Sequence, residues 1–116
     1  MKKSMSNVAP RGWGDACNTW ELLSGQDLVV FHERMPPATA EVEHYHNKAR
    51  QFFFVLKGEL TIRTMGSDHV LREHEGLEVP PGELHLVRNL SDETTEFLAI
   101  AHPSTIGDRS FPERES

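Results

Sequence analysis

The sequence predicts an all-β fold, a sandwich or a barrel, in a single domain. Short apolar segments follow one another from Trp20 to His102, at close and even spacing. Phe, Val, Ile and Thr are frequent inside them, and Gly, Pro, Ser and Asp lie between them. The first set favours strands and the second favours turns. No segment carries the 3.6-residue apolar period that an amphipathic helix requires.

The elements follow in order. Residues 1–19 are polar, contain Pro10, Gly12 and Gly14, and show no period. They form an N-terminal arm or a loose first strand. The segment "WELL" (20–23) stops at Ser24-Gly25, and "LVVFHERM" (28–35) stops at Pro36-Pro37. "AEVEHYH" (40–46) is expected as one strand before the polar "NKA". "QFFFVL" (51–56) turns at Lys57-Gly58, and "ELTIRTM" (59–65) turns at Gly66-Ser67-Asp68. "HVL" (69–71) precedes the charged "REHEG", whose acids read as solvated surface. "LEV" (77–79) stops at Pro80-Pro81-Gly82, "LHLVRN" (84–89) at "LSDE", and "TEFLAIAH" (95–102) at Pro103. The domain is therefore expected over 20–102, with 103–116 a polar tail across the surface.

The chain has 116 residues, enough for one core, and 37% of them are apolar. A net charge of −6 argues against nucleic acid and anionic membrane as partners. The lone Cys17 excludes an intrachain disulfide, and nothing nearby would activate it as a nucleophile. No apolar run follows the two N-terminal lysines, and no stretch is long enough to cross a bilayer. The expectation is a soluble, cytoplasmic protein.

Strand alternation orients the side chains. In "VEHYH", Val42, His44 and His46 share a face, with Glu43 and Tyr45 opposite. In "QFFFVL", Gln51, Phe53 and Val55 share a face, with Phe52, Phe54 and Leu56 opposite. Both faces of that strand are apolar, so both need cover, and a second copy of the chain is expected on the outer one. Phe53, Val55, Leu60, Ile62 and Val87 read as barrel core. Trp20 reads as packing.

Histidines at i and i+2 on a strand place two imidazoles on one face, roughly 7 Å apart at the backbone. That suits two adjacent ligands on one metal ion. Gln51 opens the next strand and falls on the same face if the two strands pair. His85, distant in sequence, is a candidate closing ligand. An isolated His pair is more often surface decoration, and seven histidines in this length make some pairings accidental. His32, His69, His74 and His102 are not expected as ligands. His32 is the spare candidate for proton transfer.

The spacing of these residues resembles the cupin superfamily. His44-x-His46, four residues, Gln51, six residues and Gly58 is similar to the first cupin motif. "HEGLEVPPGELHLVRN" (74–89) is similar to the second, with Pro80, Gly82, His85 and Asn89 at the required intervals. The resemblance covers roughly residues 20–102. It implies a double-stranded β-helix, the jelly-roll cupin barrel, with a metal inside. It also implies that His44, His46, Gln51 and His85 are the ligand positions. The sequence departs from the pattern at three places. Ala38 and His74 stand where the motifs lead with Gly, and a slightly altered turn is expected at His74 because Gly76 follows. Gln51 stands where the family has Glu. A coordinating amide oxygen brings no charge, so the ion keeps its full 2+ and affinity falls while Lewis acidity rises. Alternatively Gln51 hangs back from a three-His site, or it bonds a histidine in a site without metal.

Two functions lead on this reading, and a third, a metal-free isomerase or epimerase, needs a His or Tyr base facing an acid across the pocket, a pair the sequence does not assign. One is a metal-dependent enzyme, of dioxygenase or isomerase type, on a small anionic metabolite, with Zn, Ni, Mn, Fe or Co as cofactor and no residue standing out as general base. The other is a non-catalytic module that binds a sugar or another small molecule in the same pocket.

Overall fold

The computed structural model describes residues 1–112. The last four residues of the expected tail, 113–116, lie outside the described residues. Among the described residues there are twelve strands: β1 (Arg11–Trp13), β2 (Cys17–Ser24), β3 (Val29–Met35), β4 (Thr39–Ala40), β5 (Tyr45–His46), β6 (Arg50–Lys57), β7 (Leu60–Thr64), β8 (Ser67–Leu71), β9 (Gly76–Val79), β10 (His85–Asn89), β11 (Thr95–His102) and β12 (Arg109–Ser110). Every pairing among them is antiparallel. Among the described residues no helix is long and apolar enough to cross a membrane.

The strands form a six-stranded sheet in the order β1-β2-β3-β11-β6-β9, a four-stranded sheet in the order β4-β10-β7-β8, and the short pair β12-β5. Alternation decides what lies between the two large sheets. Val29, Phe31 and Met35 of β3, Phe53 and Val55 of β6, and Phe97 of β11 point inward from one side. Leu60 and Ile62 of β7 and Val87 of β10 meet them from the other. Met35, Val55, Leu60, Ile62, Val87 and Phe97 are fully enclosed. Burial of each stabilises the fold by about 1.5–3 kcal/mol, as an upper figure. The expected core residues Phe53, Val55, Leu60, Ile62 and Val87 all belong to this cluster. So does Cys17, which sits at the start of β2 with no exposed surface.

Some expectations need correction. "AEVEHYH" is not one strand. It is broken into β4, an isolated bridge from His44 to His85, and β5. The break rotates Glu41 into the pairing with β10, where its N–H donates to Val87 O. The arm contributes β1, which extends the six-stranded sheet beside β2. The tail contributes β12, which pairs with β5. His74 itself takes the left-handed φ of 65°, and Ala38 takes 61° at the other motif position. The His74 backbone N–H donates to Val55 O, which holds its turn in place. Gly58 does need to be glycine. Its φ is 81°, and a Cβ there would meet Thr94 O and Thr95 Oγ1 at 2.9 Å.

Candidate metal centre

His44, His46 and His85 converge although 38 residues separate the second from the third. The bridge between His44 and His85 is the cause. Each donates its backbone N–H to the other's carbonyl, at 3.1 and 2.9 Å, which lays the two side chains on the same inner face. Their ring centroids are 4.5 Å apart, and His46 lies 5.0 Å from His44. One ring nitrogen from each lies within 4.8 Å of the others.

The backbone fixes which nitrogen that is. His44 Nδ1 donates to Val42 O at 2.6 Å, His85 Nδ1 to Glu83 O at 2.9 Å, and His46 Nδ1 to Asp108 O at 3.0 Å. With every Nδ1–H spent on a carbonyl, Nε2 is the lone-pair nitrogen in all three rings. Burial lowers the pKa of each ring, with Arg109 acting in the same direction on all three and the neighbouring imidazoles on His44 and His46. His44 is pushed down to about 4. The rings are therefore neutral at pH 7, as a metal ligand must be.

Gln51, on β6, faces the same cavity as His44 and His46 and is 8% exposed. Its Oε1 is buried with no hydrogen-bond partner, and so is His85 Nε2. A buried acceptor left unmade costs about 1–3 kcal/mol. Two such atoms beside two further imidazoles are the donor chemistry of a first-row divalent ion, which takes nitrogen and oxygen at about 2.0–2.2 Å. The residues present fit such an ion.

Sequence reasoning missed the acids. Glu41 Oε2 lies 3.7 Å from His44 Nε2. An acid therefore lies beside His44, outside the cluster of the three imidazoles. It comes from the segment before the His pair instead of the segment after it. Burial, then the charge of Glu33, pushes the Glu41 carboxyl up to about 7, against the pull of Arg109. Glu33 itself is 7% exposed on β3 and lines the same cavity. The wall is thus not purely apolar: Phe31, Phe53 and Ala99 share it with Glu33, Glu41 and Arg109. The signal was legible. Val29, Phe31, Glu33 and Met35 alternate onto one face, and a glutamate in the middle of an apolar face is a buried acid. His32, the spare candidate for proton transfer, is on the outer face for the same reason. It pairs with Glu96 at 2.8 Å and meets the edge of Trp20.

The tail also reaches the site. Asp108 holds the loop after β5 by accepting from the backbone N–H groups of Asn47, Lys48 and Ala49 at 2.9–3.0 Å, while its own carbonyl fixes His46. Arg109, next to it, lines the mouth of the cavity.

Residues 31–101 match the family described as "Cupin domain". The chain belongs to that family. This cupin is 36% identical over 69 residues to "Polyketide synthase CurC" of Streptomyces cyaneus, covering 60% of this chain and 45% of that protein. It is 31% identical over 91 residues to "Quercetin 2,3-dioxygenase" of Bacillus subtilis, covering 72% of this chain and 26% of that protein. The cupin thus spans less than half the length of either curated relative. Among solved structures, one described as a predicted oxalate decarboxylase from Thermotoga maritima superposes with a TM-score of 0.81. That match covers 90% of this cupin and 100% of the other chain at 21% identity, a likeness of fold.

Proposed function

We propose that this cupin is a metal-dependent enzyme acting on a small, oxygen-rich, anionic metabolite, by isomerase-type or dioxygenase-type chemistry. The observation that carries the reading is the donor set: three neutral imidazoles with Nε2 turned to a common point, beside a buried, unpartnered Gln51 Oε1. In this reading His44, His46 and His85 hold a divalent ion through Nε2, and Gln51 Oε1 is the fourth donor. A bound ion would supply Lewis acidity toward a substrate oxygen. The remaining work falls to the chain. The cavity is about 240 Å³, a size for a small molecule. Arg109 lines the cavity and offers positive charge to an anion, set against the acids Glu33 and Glu41 on the same wall. Similarity to a named dioxygenase and a named polyketide synthase supports catalysis in such a barrel without choosing the substrate.

The test is elemental analysis of untagged protein never exposed to chelator. Near-stoichiometric metal, lost in His85→Ala, is the expected result. Iron, manganese or nickel would direct the search to dioxygen chemistry, and zinc to isomerase or hydrolytic chemistry. No metal in either protein after incubation with excess Zn, Mn or Fe would sink the reading and leave a metal-free binding pocket.

A further inference from the structure

We propose that Glu33, held by Thr19 on the six-stranded-sheet side of the cavity, is the catalytic base that takes a proton from, and returns it to, a small hydroxy-carbonyl substrate. The inference rests on the catalytic reading of this cavity and adds the residue and the reaction class. Glu33 enters from β3, while His44 and His85 are joined to the facing four-stranded sheet, so a molecule in the cavity lies between them. Thr19 Oγ1 donates to Glu33 Oε2 at 2.5 Å. That bond occupies one carboxylate oxygen and fixes the group. The Trp13 indole N–H, buried on the same wall, is the donor beside this carboxylate. Gln51 Oε1, across the wall, is a buried acceptor without a hydrogen-bond partner. A carboxylate and a free acceptor around one small cavity match a ligand that carries a hydroxyl beside its carbonyl.

The groups facing Glu33 come from every neighbouring element: Arg11 and Trp13 from β1, Cys17 and Thr19 from β2, Glu41 from the segment after β4, and Arg109 from β12, with His44 and His46 across the cavity. Burial pushes the carboxyl up to about 7, while Thr19, the Trp13 N–H and the two arginines favour its ionised form. A base that titrates near working pH is suited to proton transfer in both directions. In the step proposed, the Glu33 carboxylate removes a proton from the carbon beside the substrate carbonyl. The C–H pair becomes the C=C bond, and the carbonyl pair moves onto oxygen as an enolate in the cavity lined by His44, His46 and Arg109. The Glu33 carboxylic acid then returns the proton to the same carbon, or to its neighbour once the substrate's own hydroxyl proton has passed to the enolate oxygen, so that the new carbonyl forms where the hydroxyl was. No oxidant or reductant is consumed.

The experiment uses metal-loaded protein in D2O with dihydroxyacetone and hydroxypyruvate as probes. Deuterium entry beside the carbonyl is followed by proton NMR across pH 5–9. The expected result is exchange at least 100-fold above buffer, rising to a plateau as Glu33 ionises, and lost about 100-fold in Glu33→Gln with metal content unchanged. Thr19→Val should leave a folded, metal-loaded protein whose profile moves to higher pH, because the bond that favours the carboxylate is gone. A separate readout needs no turnover. In protein labelled at the Glu carboxyl carbon, one resonance titrating near neutral pH should vanish in Glu33→Gln and shift on addition of hydroxypyruvate. Exchange by Glu33→Gln within threefold of the parent, an unmoved profile in Thr19→Val, or no exchange by the parent with either probe overturns the assignment. Exchange that depends on Glu33 in a protein that binds no metal would uphold Glu33 and overturn the metal reading instead.

Discussion

Ala38 and His74 stand at the two positions where the cupin motifs lead with glycine, and both hold left-handed backbone, at φ 61° and 65°. The site's geometry has been kept at the cost of placing a Cβ where it crowds the following carbonyl, about 1–2 kcal/mol per residue. Ala38 is exposed, and its N–H still donates to Asn89 O at 3.0 Å. Ala38→Gly should therefore stabilise the protein by about 0.5–1 kcal/mol after glycine's own entropy is counted, with no packing lost. A thermal melt reads this as a rise of a few degrees, and a fall in Tm would contradict it. The positions were visible in the motif spacing, but their conformation was not, because hydrogen bonds from strands distant in sequence impose it. Gln51 is a similar case. Its identity announced a missing charge, whereas the acid that lies beside His44, Glu41, is reached only through a broken strand that alternation alone does not foretell.

At the scale of elements, the regular strands were legible and the irregular ones were not. β3, β6, β7, β10 and β11 carry long alternating or apolar runs, and their expected ends agree with the observed ones to within a residue or two. β4, β5 and β12 are two residues each. Pairings that short leave no period in the sequence, and the histidine centre depends on them. Asp108 shows how. The loop that carries His46 is held by one carboxylate accepting three backbone N–H bonds, which also keep the Asp108 pKa below the usual range. Asp108→Ala should free residues 47–49 and displace the carbonyl that fixes His46 Nδ1. We expect metal affinity to fall about 10- to 100-fold, the effect of losing an outer partner of a ligand, with the fold intact. Isothermal titration with zinc measures it. Unchanged affinity would mean that β12 holds its place without the carboxylate.

For the molecule as a whole, the buried acids and imidazoles pull stability in opposite directions with pH. His44 titrates at about 4 when folded and near 6.5 when unfolded. Below pH 6.5 the unfolded chain binds the proton that the folded chain refuses, so metal-free protein loses stability as pH falls from 6.5 to 4. Glu33 is the reverse: its folded pKa of about 7 lies above the unfolded value, so its ionisation costs stability as pH rises from about 4.5 to 7. Each term is worth up to about 3 kcal/mol at 1.36 kcal/mol per unit. Glu33→Gln leaves the first, removes the second, and lifts the Glu33 charge from Glu41. The variant should be more stable than the parent at pH 8 by about 2–3 kcal/mol, less the lost Thr19 bond, and the gap should close by pH 4.5 in metal-free denaturation curves. A gap independent of pH would show that Glu33 is not an ionising buried acid. The outer surface of the same sheet bears on assembly. Register sets Val30, Ile100 and Phe52 side by side across β3, β11 and β6, and His32, Leu98 and Phe54 beside them. Phe52 is 42% exposed, and the other apolar members of this band are half-buried. A flat band of this kind on three central strands is unusual to leave in water. A second copy meeting it face to face covers both bands at once, since a twofold contact uses the same patch on each chain. Light scattering behind gel filtration should give twice the mass of one chain, and Ile100→Glu should return the single mass without loss of metal. A parent that runs as one chain at every concentration would leave the band to be covered by something other than a second copy.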